Sequence, residues 1–368
     1  MKLFECQGCR NTVHFENSVC VACRRQLGYA PERGTMTALE PAQVNEASPA
    51  LLAAVGAPEQ RYHFCANAAQ GVCNWLVHES DGHSLCRSCR HNDMAPDLTV
   101  AGNRERWARL EQAKRQLFYS LLLWGLPTPI IGEDAREPLV FDLIGDVHSD
   151  QGVKTVLTGH DFGRITLNIA EADDDVREQR RVAMGEPYRT PLGHFRHEIG
   201  HYYWDLLVRD GGPLAEFRAL FGDERGDYDQ ALQAYYANGA PRGWRESFIS
   251  AYATAHPWED FAETWAHYMH IVDTLETACS FGISLKPRHV ANDHLEAAVD
   301  FDAYRADRIE RILDAWTPIS VAVNSLSRSL GQGDVYPFVL SQAMVGKLSF
   351  IHRLIGEQRA RQTTRAAA

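Results

Sequence analysis

The sequence lacks a hydrophobic run that is long enough to cross a bilayer. A membrane-spanning helix needs about 20 consecutive apolar residues, whereas the most apolar stretch, residues 117–126, has only ten. Residues 1–9 also lack the apolar core of a secretory signal. We therefore expect a protein that does not enter a membrane and that resides in the cytoplasm.

The sequence also lacks an excess of positive charge. Its 37 Lys and Arg residues are outnumbered by 48 Asp and Glu residues, which gives a net charge of −11. Because nucleic acids and anionic lipids attract basic surfaces, neither is an expected partner. Hydrophobic residues make up 45% of the 368 residues and charged residues 23%, as in globular proteins. Such a length accommodates one large domain together with smaller modules.

Disulfide bonds are not expected, although the chain has nine cysteines. Eight of them form two groups of four, which in a cytoplasmic protein indicates metal binding. The first group consists of Cys6, Cys9, Cys20 and Cys23. Its two Cys-x-x-Cys knuckles predict a closed structural zinc site. A redox-active pair or an iron–sulfur cluster is the alternative, but no βαβ pattern surrounds the knuckles.

The second cysteine group has a looser spacing and predicts a second structural zinc site. Its members are Cys65, Cys73, Cys86 and Cys89. Four nearby histidines could each replace a thiol as a ligand: His63, His78, His83 and His91. Residues 1–35 carry five basic and three acidic side chains, which is weak for phosphate binding. We therefore expect the zinc ribbons to pack within the protein or to contact a protein partner.

The motif His-Glu-Ile-Gly-His predicts a catalytic zinc site at residues 197–201. On a helix, His197 and His201 lie one turn apart on the same face, where both imidazoles can bind one Zn²⁺. Glu198 then lies beside the metal and can take a proton from a water bound to it. His194, three residues before His197, is an alternative ligand.

The neighbouring residues predict the helix that this motif requires. Thr190 suits the N-cap, and Pro191 suits the first helical position. Gly200 lies in the interior of the predicted helix, where glycine costs about 1 kcal/mol relative to alanine. We interpret this glycine as the place where a second backbone passes close to the metal.

A second stretch can supply the third ligand. Pro257 suits the start of a helix on which Glu259 and Glu263, four residues apart, share one face. One carboxylate can bind the metal. The other can accept the free ring N–H of a ligand histidine and fix its tautomer.

This combination resembles the gluzincin peptidases, among them thermolysin. Residues 250–263 resemble lethal-factor-type toxin proteases more closely still. That resemblance implies that Glu259 is the third zinc ligand, that Glu263 supports a ligand histidine and that Tyr252 assists catalysis. His256 is the alternative to Tyr252. The whole chain also resembles a bacterial family of zinc-binding metallopeptidases with an N-terminal zinc ribbon, which together with the motifs implies one catalytic and two structural Zn²⁺ ions.

The predicted fold class is α+β. We expect a mainly helical zincin-type metallopeptidase domain with a small sheet, preceded by two small zinc-ribbon modules. The expected boundaries are residues 1–30 for the first ribbon, 31–58 for a linker or extended wrap, 59–95 for the second ribbon-like module and 96–368 for the peptidase domain. The basic tail after Gly356 is expected to fray or to be disordered.

Three further elements follow from periodicity and turn residues. Apolar periodicity predicts a helix over residues 103–124 and a β-hairpin that turns near residues 161–163. Residues 165–169 are a candidate for the sheet edge that pairs with extended substrate, with an ordinary core strand as the alternative.

The functional expectation is a zinc-dependent peptidase that acts on a peptide or protein substrate, with Glu198 as the general base. The alternative is a weakly active or inactive zincin that serves as a zinc-ribbon adaptor for a protein partner.

Overall fold

The computed structural model describes residues 2–42, 51–133, 137–149, 152–156, 158–288 and 293–367. The α-helices in these ranges are α1 (Asn103–Trp124), α2 (Asp174–Met184), α3 (Pro191–Trp204), α4 (Leu214–Phe221), α5 (Tyr228–Asn238), α6 (Pro257–Ser280), α7 (Ile309–Ser329) and α8 (Gln342–Ala367). None of the described helices is long and apolar enough to cross a membrane. Helices and short strands together give the predicted α+β class.

The strands are short. They are β1 (Phe4–Glu5), β2 (Thr12–Val13), β3 (Gln26–Ala30), β4 (Thr35–Pro41), β5 (Leu52–Ala54), β6 (Ala57–Phe64), β7 (Leu76–His78), β8 (Asn92–Met94), β9 (Val140–Ile144), β10 (Val147–Ser149), β11 (Gly152–Lys154), β12 (Gly159–Asp161), β13 (Arg164–Asn168), β14 (Ser284–Leu285) and β15 (Ala297–Ala298).

The chain forms two compact units. The first comprises Met1–Leu123 with Pro127–Val176, and the second comprises Trp124–Leu126 with Arg177–Ala368. Strands β9–β13 and most of α1 therefore belong to the unit that contains the cysteine groups, although the expected peptidase domain begins at residue 96. The predicted zinc ligands on α3 and α6 belong to the second unit.

A five-stranded antiparallel sheet dominates the N-terminal part of the first unit, in the order β3-β4-β5-β6-β7. Its small core contains Leu39, Tyr62 and Leu76. Residues 31–58 were expected to form a linker or extended wrap, but they supply β4, β5 and the start of β6. The prediction was wrong because small buried residues such as Ala38 and Ala54 give these strands little sequence signal. Residues 43–50 lie outside the described part.

A four-stranded sheet of the first unit has the order β12-β13-β9-β8. Strands β12 and β13 form the predicted hairpin, and the turn uses positive φ at Phe162 (43°) and Gly163 (85°). Strand β13 also pairs in parallel with β9, so it has partners on both sides. The interpretation of residues 165–169 as a free edge for substrate is therefore wrong, and Ile165 and Leu167 are fully buried core residues.

Helix α1 packs against the cysteine-containing part of the first unit. The ring of Tyr119 lies 5.4 Å from the ring of Phe15 and 5.9 Å from that of Tyr29, and Tyr29 in turn lies 5.0 Å from Trp75. Phe15 lies between the two knuckles of the first cysteine group, Trp75 lies within the second group, and Tyr119 is on α1. Because they share one core, the two ribbons and α1 stabilise one another.

The second unit is built around the contact between α3 and α6. Both helices begin as predicted, because Thr190 Oγ1 accepts a hydrogen bond from Gly193 N at 3.0 Å and His256 Nδ1 accepts one from Trp258 N at 3.2 Å. A Cβ atom at position 200 would lie only 2.8 Å from Ala262 Cα. Gly200 thus lets the two backbones approach, in agreement with its interpretation from the sequence.

Adding one methyl group at this approach is expected to destabilise the second unit. In Gly200→Ala the new Cβ meets backbone atoms of Ala262 that cannot rotate away. Although alanine favours helix, overpacking of this kind costs typically 1–3 kcal/mol. Thermal unfolding should show a lower Tm, and Gly356→Ala, where a Cβ meets nothing within 4 Å, is the control. An equal or higher Tm for Gly200→Ala would contradict the close approach.

The C-terminal tail differs from its expectation. Helix α8 continues to Ala367, well beyond Gly356. Arg359 Nη1 donates a hydrogen bond to Tyr304 O at 2.8 Å, which fastens the helix to the second unit. The basic composition that suggested fraying is thus compatible with a helix, since arginine is a good helix former.

Candidate metal centres and active site

The first cysteine group has the geometry of a zinc site. The Sγ atoms of Cys6 and Cys23 are 3.7 Å apart, and those of Cys9 and Cys20 are 3.6 Å apart. All four sulfur atoms lie within 4.8 Å of one another. A tetrahedral zinc with Zn–S bonds of about 2.3 Å would separate its sulfur atoms by roughly 3.8 Å. The four thiols therefore fit a zinc ion.

Both knuckles of this group share one backbone pattern. The residue after the second cysteine of each knuckle has a positive φ, 64° at Arg10 and 63° at Arg24. The N–H groups of Arg10 and Arg24 donate to Cys6 O at 2.8 Å and Cys20 O at 2.9 Å. This tight turn, present in both knuckles, directs the two thiols of a knuckle to the same side. Both thiols can then bind one metal ion.

The second cysteine group is also assembled, despite its loose spacing. All four thiols are buried and lie within 4.8 Å of one another. The Sγ atoms of Cys73 and Cys86 are 3.8 Å apart, and backbone N–H groups of Trp75 and Cys86 donate to Cys73 Sγ and Cys65 Sγ, each at 3.4 Å. Such N–H···S bonds stabilise thiolates, the form that binds zinc.

None of the four alternative histidines belongs to a metal-ligand group in the part of the chain that the structure describes. Each has another neighbour: Phe64 O for His63, Ser80 Oγ for His78, Asp81 for His83 and Leu139 O for His91. The two four-cysteine sets are therefore the ligand groups that the structure brings together.

A third group joins α3 and α6. The Nε2 atoms of His197 and His201 are 3.2 Å apart, and Glu259 Oε2 lies 2.9 Å from the first and 3.5 Å from the second. These three residues converge although Glu259 lies 58 positions after His201 in the sequence. Two histidines and one glutamate form a donor set that catalytic zinc sites use.

Neighbouring side chains orient these three residues. His197 Nδ1 lies 2.7 Å from Glu263 Oε1, so the carboxylate fixes the Nδ1–H tautomer and leaves Nε2 as the ligand atom. The ring of His201 packs against that of Trp258, with centroids 3.8 Å apart. Glu263 therefore contacts one of the two predicted ligand histidines.

The three side chains also fit a bound cation. Glu259 Oε2 is buried and faces the two imidazole Nε2 atoms, whereas Oε1 accepts a hydrogen bond from the Tyr228 hydroxyl. Because the Nδ1–H tautomer of His197 leaves a lone pair on Nε2, this atom and Oε2 are two electron-pair donors only 2.9 Å apart. A positive ion between them and His201 Nε2 explains the arrangement.

Glu198 and Glu259 differ in pKa because their surroundings differ. Burial raises the pKa of Glu198 above its usual range, although the two histidines partly oppose this. Burial also raises the pKa of Glu259, but His201 and His197 outweigh it and hold that pKa well below the usual range. One carboxylate is thus a more basic group, and the other stays ionised as a ligand should.

The two candidates for catalytic assistance have different surroundings. The ring of Tyr252 lies 5.9 Å from that of His197, and burial raises the pKa of Tyr252, which keeps its hydroxyl a donor. His256 instead caps α6 with its Nδ1 atom. His194, the alternative ligand, is outside the group that the structure assembles.

Sequence reasoning missed two contacts of this site. No sequence pattern assigned Tyr228 to the site, yet its hydroxyl donates a hydrogen bond to Glu259 Oε1. Arg196 pairs in a buried position with Asp273 and His270, and Asp273 also accepts from Tyr304. A charged residue beside the motif on a mostly buried helix was the available signal for Arg196.

Comparison with known proteins identifies two families along the chain. Residues 103–354 match the family described as "Putative zinc-binding metallo-peptidase". The chain belongs to this family. Residues 3–100 match a zinc-ribbon domain family. The metallopeptidase match contains all three residues of the third group, and the ribbon match contains all eight clustered cysteines.

Relatives in two mycobacteria extend over nearly the whole chain. Uncharacterized proteins of Mycobacterium bovis and Mycobacterium tuberculosis are each 40% identical over 361 residues, which covers 97% of this chain and 96% of theirs. No solved structure matches the chain significantly. The similarity to these relatives therefore spans both the zinc-ribbon region and the metallopeptidase region of this chain.

Proposed function

We propose that this member of the zinc-binding metallopeptidase family is an active, gluzincin-like peptidase with its catalytic metal held by His197, His201 and Glu259. The observation that carries the proposal is the convergence of three possible ligand atoms, the Nε2 atoms of His197 and His201 and Oε2 of Glu259, within 3.5 Å of one another. Zinc bound there would polarise a peptide carbonyl and lower the pKa of a bound water toward ~7.

Glu198 is the general base of this proposal. It is only 8% exposed, and its raised pKa makes it a better proton acceptor than an ordinary surface carboxylate. It takes a proton from the attacking water and later passes it to the leaving amine. Tyr252, protonated and near His197, donates a hydrogen bond to the oxyanion that develops on the peptide. Glu263 keeps His197 in the tautomer that the metal needs.

The cysteine groups have a structural role in the proposal. Each would hold one Zn²⁺, so the intact chain carries three ions. Their aromatic core is shared with α1, which supports a role as a scaffold. A protein partner that contacts the ribbons is part of the proposal. The substrate is a peptide or a protein, and neither nucleic acid nor membrane is part of the proposal.

Zinc content per chain tests the assignment of ligands. Wild type is expected to hold three zinc ions, and the His197→Ala/His201→Ala double variant two, because only the third group loses donors. Elemental analysis after gel filtration measures both. The control is His194→Ala, which changes the alternative ligand and should keep three ions. Two ions in wild type, unchanged by the double substitution, would overturn the proposal.

A further inference from the structure

The hydroxyl of Tyr228 contacts a predicted metal ligand directly. It donates a hydrogen bond to Glu259 Oε1. The other oxygen, Oε2, lies 2.9 Å from His197 Nε2 and 3.5 Å from His201 Nε2. The two oxygens of one carboxylate thus have different neighbours, one a protein donor and the other the space between two imidazoles.

We propose that Tyr228 is a positioning residue that assigns Glu259 Oε2 to the metal and withholds Oε1 from it. A carboxylate with one oxygen occupied in this way binds a cation through the other oxygen alone. Two histidines and one monodentate glutamate leave the fourth position of a tetrahedral zinc site open for water. This inference rests on the proposed ligand set, but not on peptidase activity.

The fold fixes the Tyr228 ring where this role requires it. Asp227 caps α5, since its Oδ1 accepts from Gln230 N at 3.0 Å, and Tyr228 therefore occupies the first turn of that helix. The ring packs edge-on against His256 at 5.3 Å and against Trp258 at 5.6 Å. These two residues flank the first residue of α6, the helix that carries Glu259. Because the ring of Tyr228 packs against the residues at the start of α6, its hydroxyl cannot easily rotate away from Glu259 on the same helix.

Zinc affinity of Tyr228→Phe tests the role without any substrate. Competition with a graded series of chelators should show that zinc at the third site binds about tenfold more weakly, at the lower end of the range for lost outer partners of metal ligands. The two cysteine-bound ions should be unaffected. Tyr236→Phe is the matched control, because that ring is on the same helix and 59% exposed, and it should stay within about twofold of wild type.

A double-variant cycle separates positioning from general loosening of the structure. If Tyr228 acts through Glu259, adding Tyr228→Phe to Glu259→Ala should change the zinc affinity by less than about twofold. An equal loss in both backgrounds, or no loss in the single variant, would overturn the inference. Wild type without a third zinc would overturn it together with the ligand assignment. A third zinc without hydrolysis would overturn the peptidase proposal alone.

Discussion

Replacing Glu198 by glutamine is expected to abolish peptide hydrolysis while zinc stays bound. The amide has nearly the same shape but cannot accept the proton of the attacking water. General-base catalysis contributes typically 10²–10⁴-fold, so kcat/KM should fall by at least about two orders of magnitude. A peptide library identifies a substrate for wild type, and the purified variant is then assayed on that peptide.

Two controls accompany this experiment: the zinc content of the Glu198→Gln variant and the activity of a variant at a second glutamate. Glu198 is outside the ligand group, so the variant should still hold three ions. Glu246→Gln, at an exposed position, should retain wild-type turnover. Undiminished hydrolysis by Glu198→Gln would disprove its role as base. A zinc-loaded wild type that cleaves no peptide in the library would favour the adaptor alternative.

Removing Asp273 is expected to cause the largest loss of stability in the second unit. Arg196 on α3 and Asp273 on α6 form a buried ion pair, with His270 and Tyr304 as further partners. Asp273→Ala leaves the Arg196 charge buried without its carboxylate. Breaking such a pair costs about 3–5 kcal/mol, which corresponds to a fall in Tm on the order of 10 °C. Calorimetry or circular dichroism of the metal-loaded protein measures it.

A surface carboxylate provides the comparison. Asp223 pairs with Arg225 where both side chains are exposed, 53% and 68% respectively, and exposed pairs contribute little to stability. Asp223→Ala should therefore leave the Tm nearly unchanged. Similar Tm values for the two variants would mean that the contact between α3 and α6 does not depend on the buried pair.

Local geometry explains what could be predicted at the metal centres. Spacing of four along a helix places His197 above His201, and the same spacing places Glu259 above Glu263, whatever the rest of the fold does. Thr190 and Pro191 mark a helix start for equally local reasons. The cysteine groups follow from short Cys-x-x-Cys turns, and the structure assembles both.

Other features could not be read in this way, because they depend on partners far along the chain. Strands β4, β5 and β6 form only because neighbouring strands supply hydrogen-bond partners. The composition of β13 suits an edge strand and a core strand equally well. Only its pairing with both β12 and β9 shows that it is a core strand. Arg359 of the tail likewise contacts Tyr304, a residue 55 positions away that no local pattern identifies.

The sequence by itself determined which residue types can bind metal and which of them share a helix face, since those properties depend on chemistry and short-range spacing. Tertiary structure decided which helix faces pack against each other. It brought Glu259 to the two histidines, Glu263 to the back of His197 and Tyr228 to the second oxygen of Glu259. Those pairings depend on the packing of α3 against α6 at Gly200 and on the position of α5, and no local pattern encodes them.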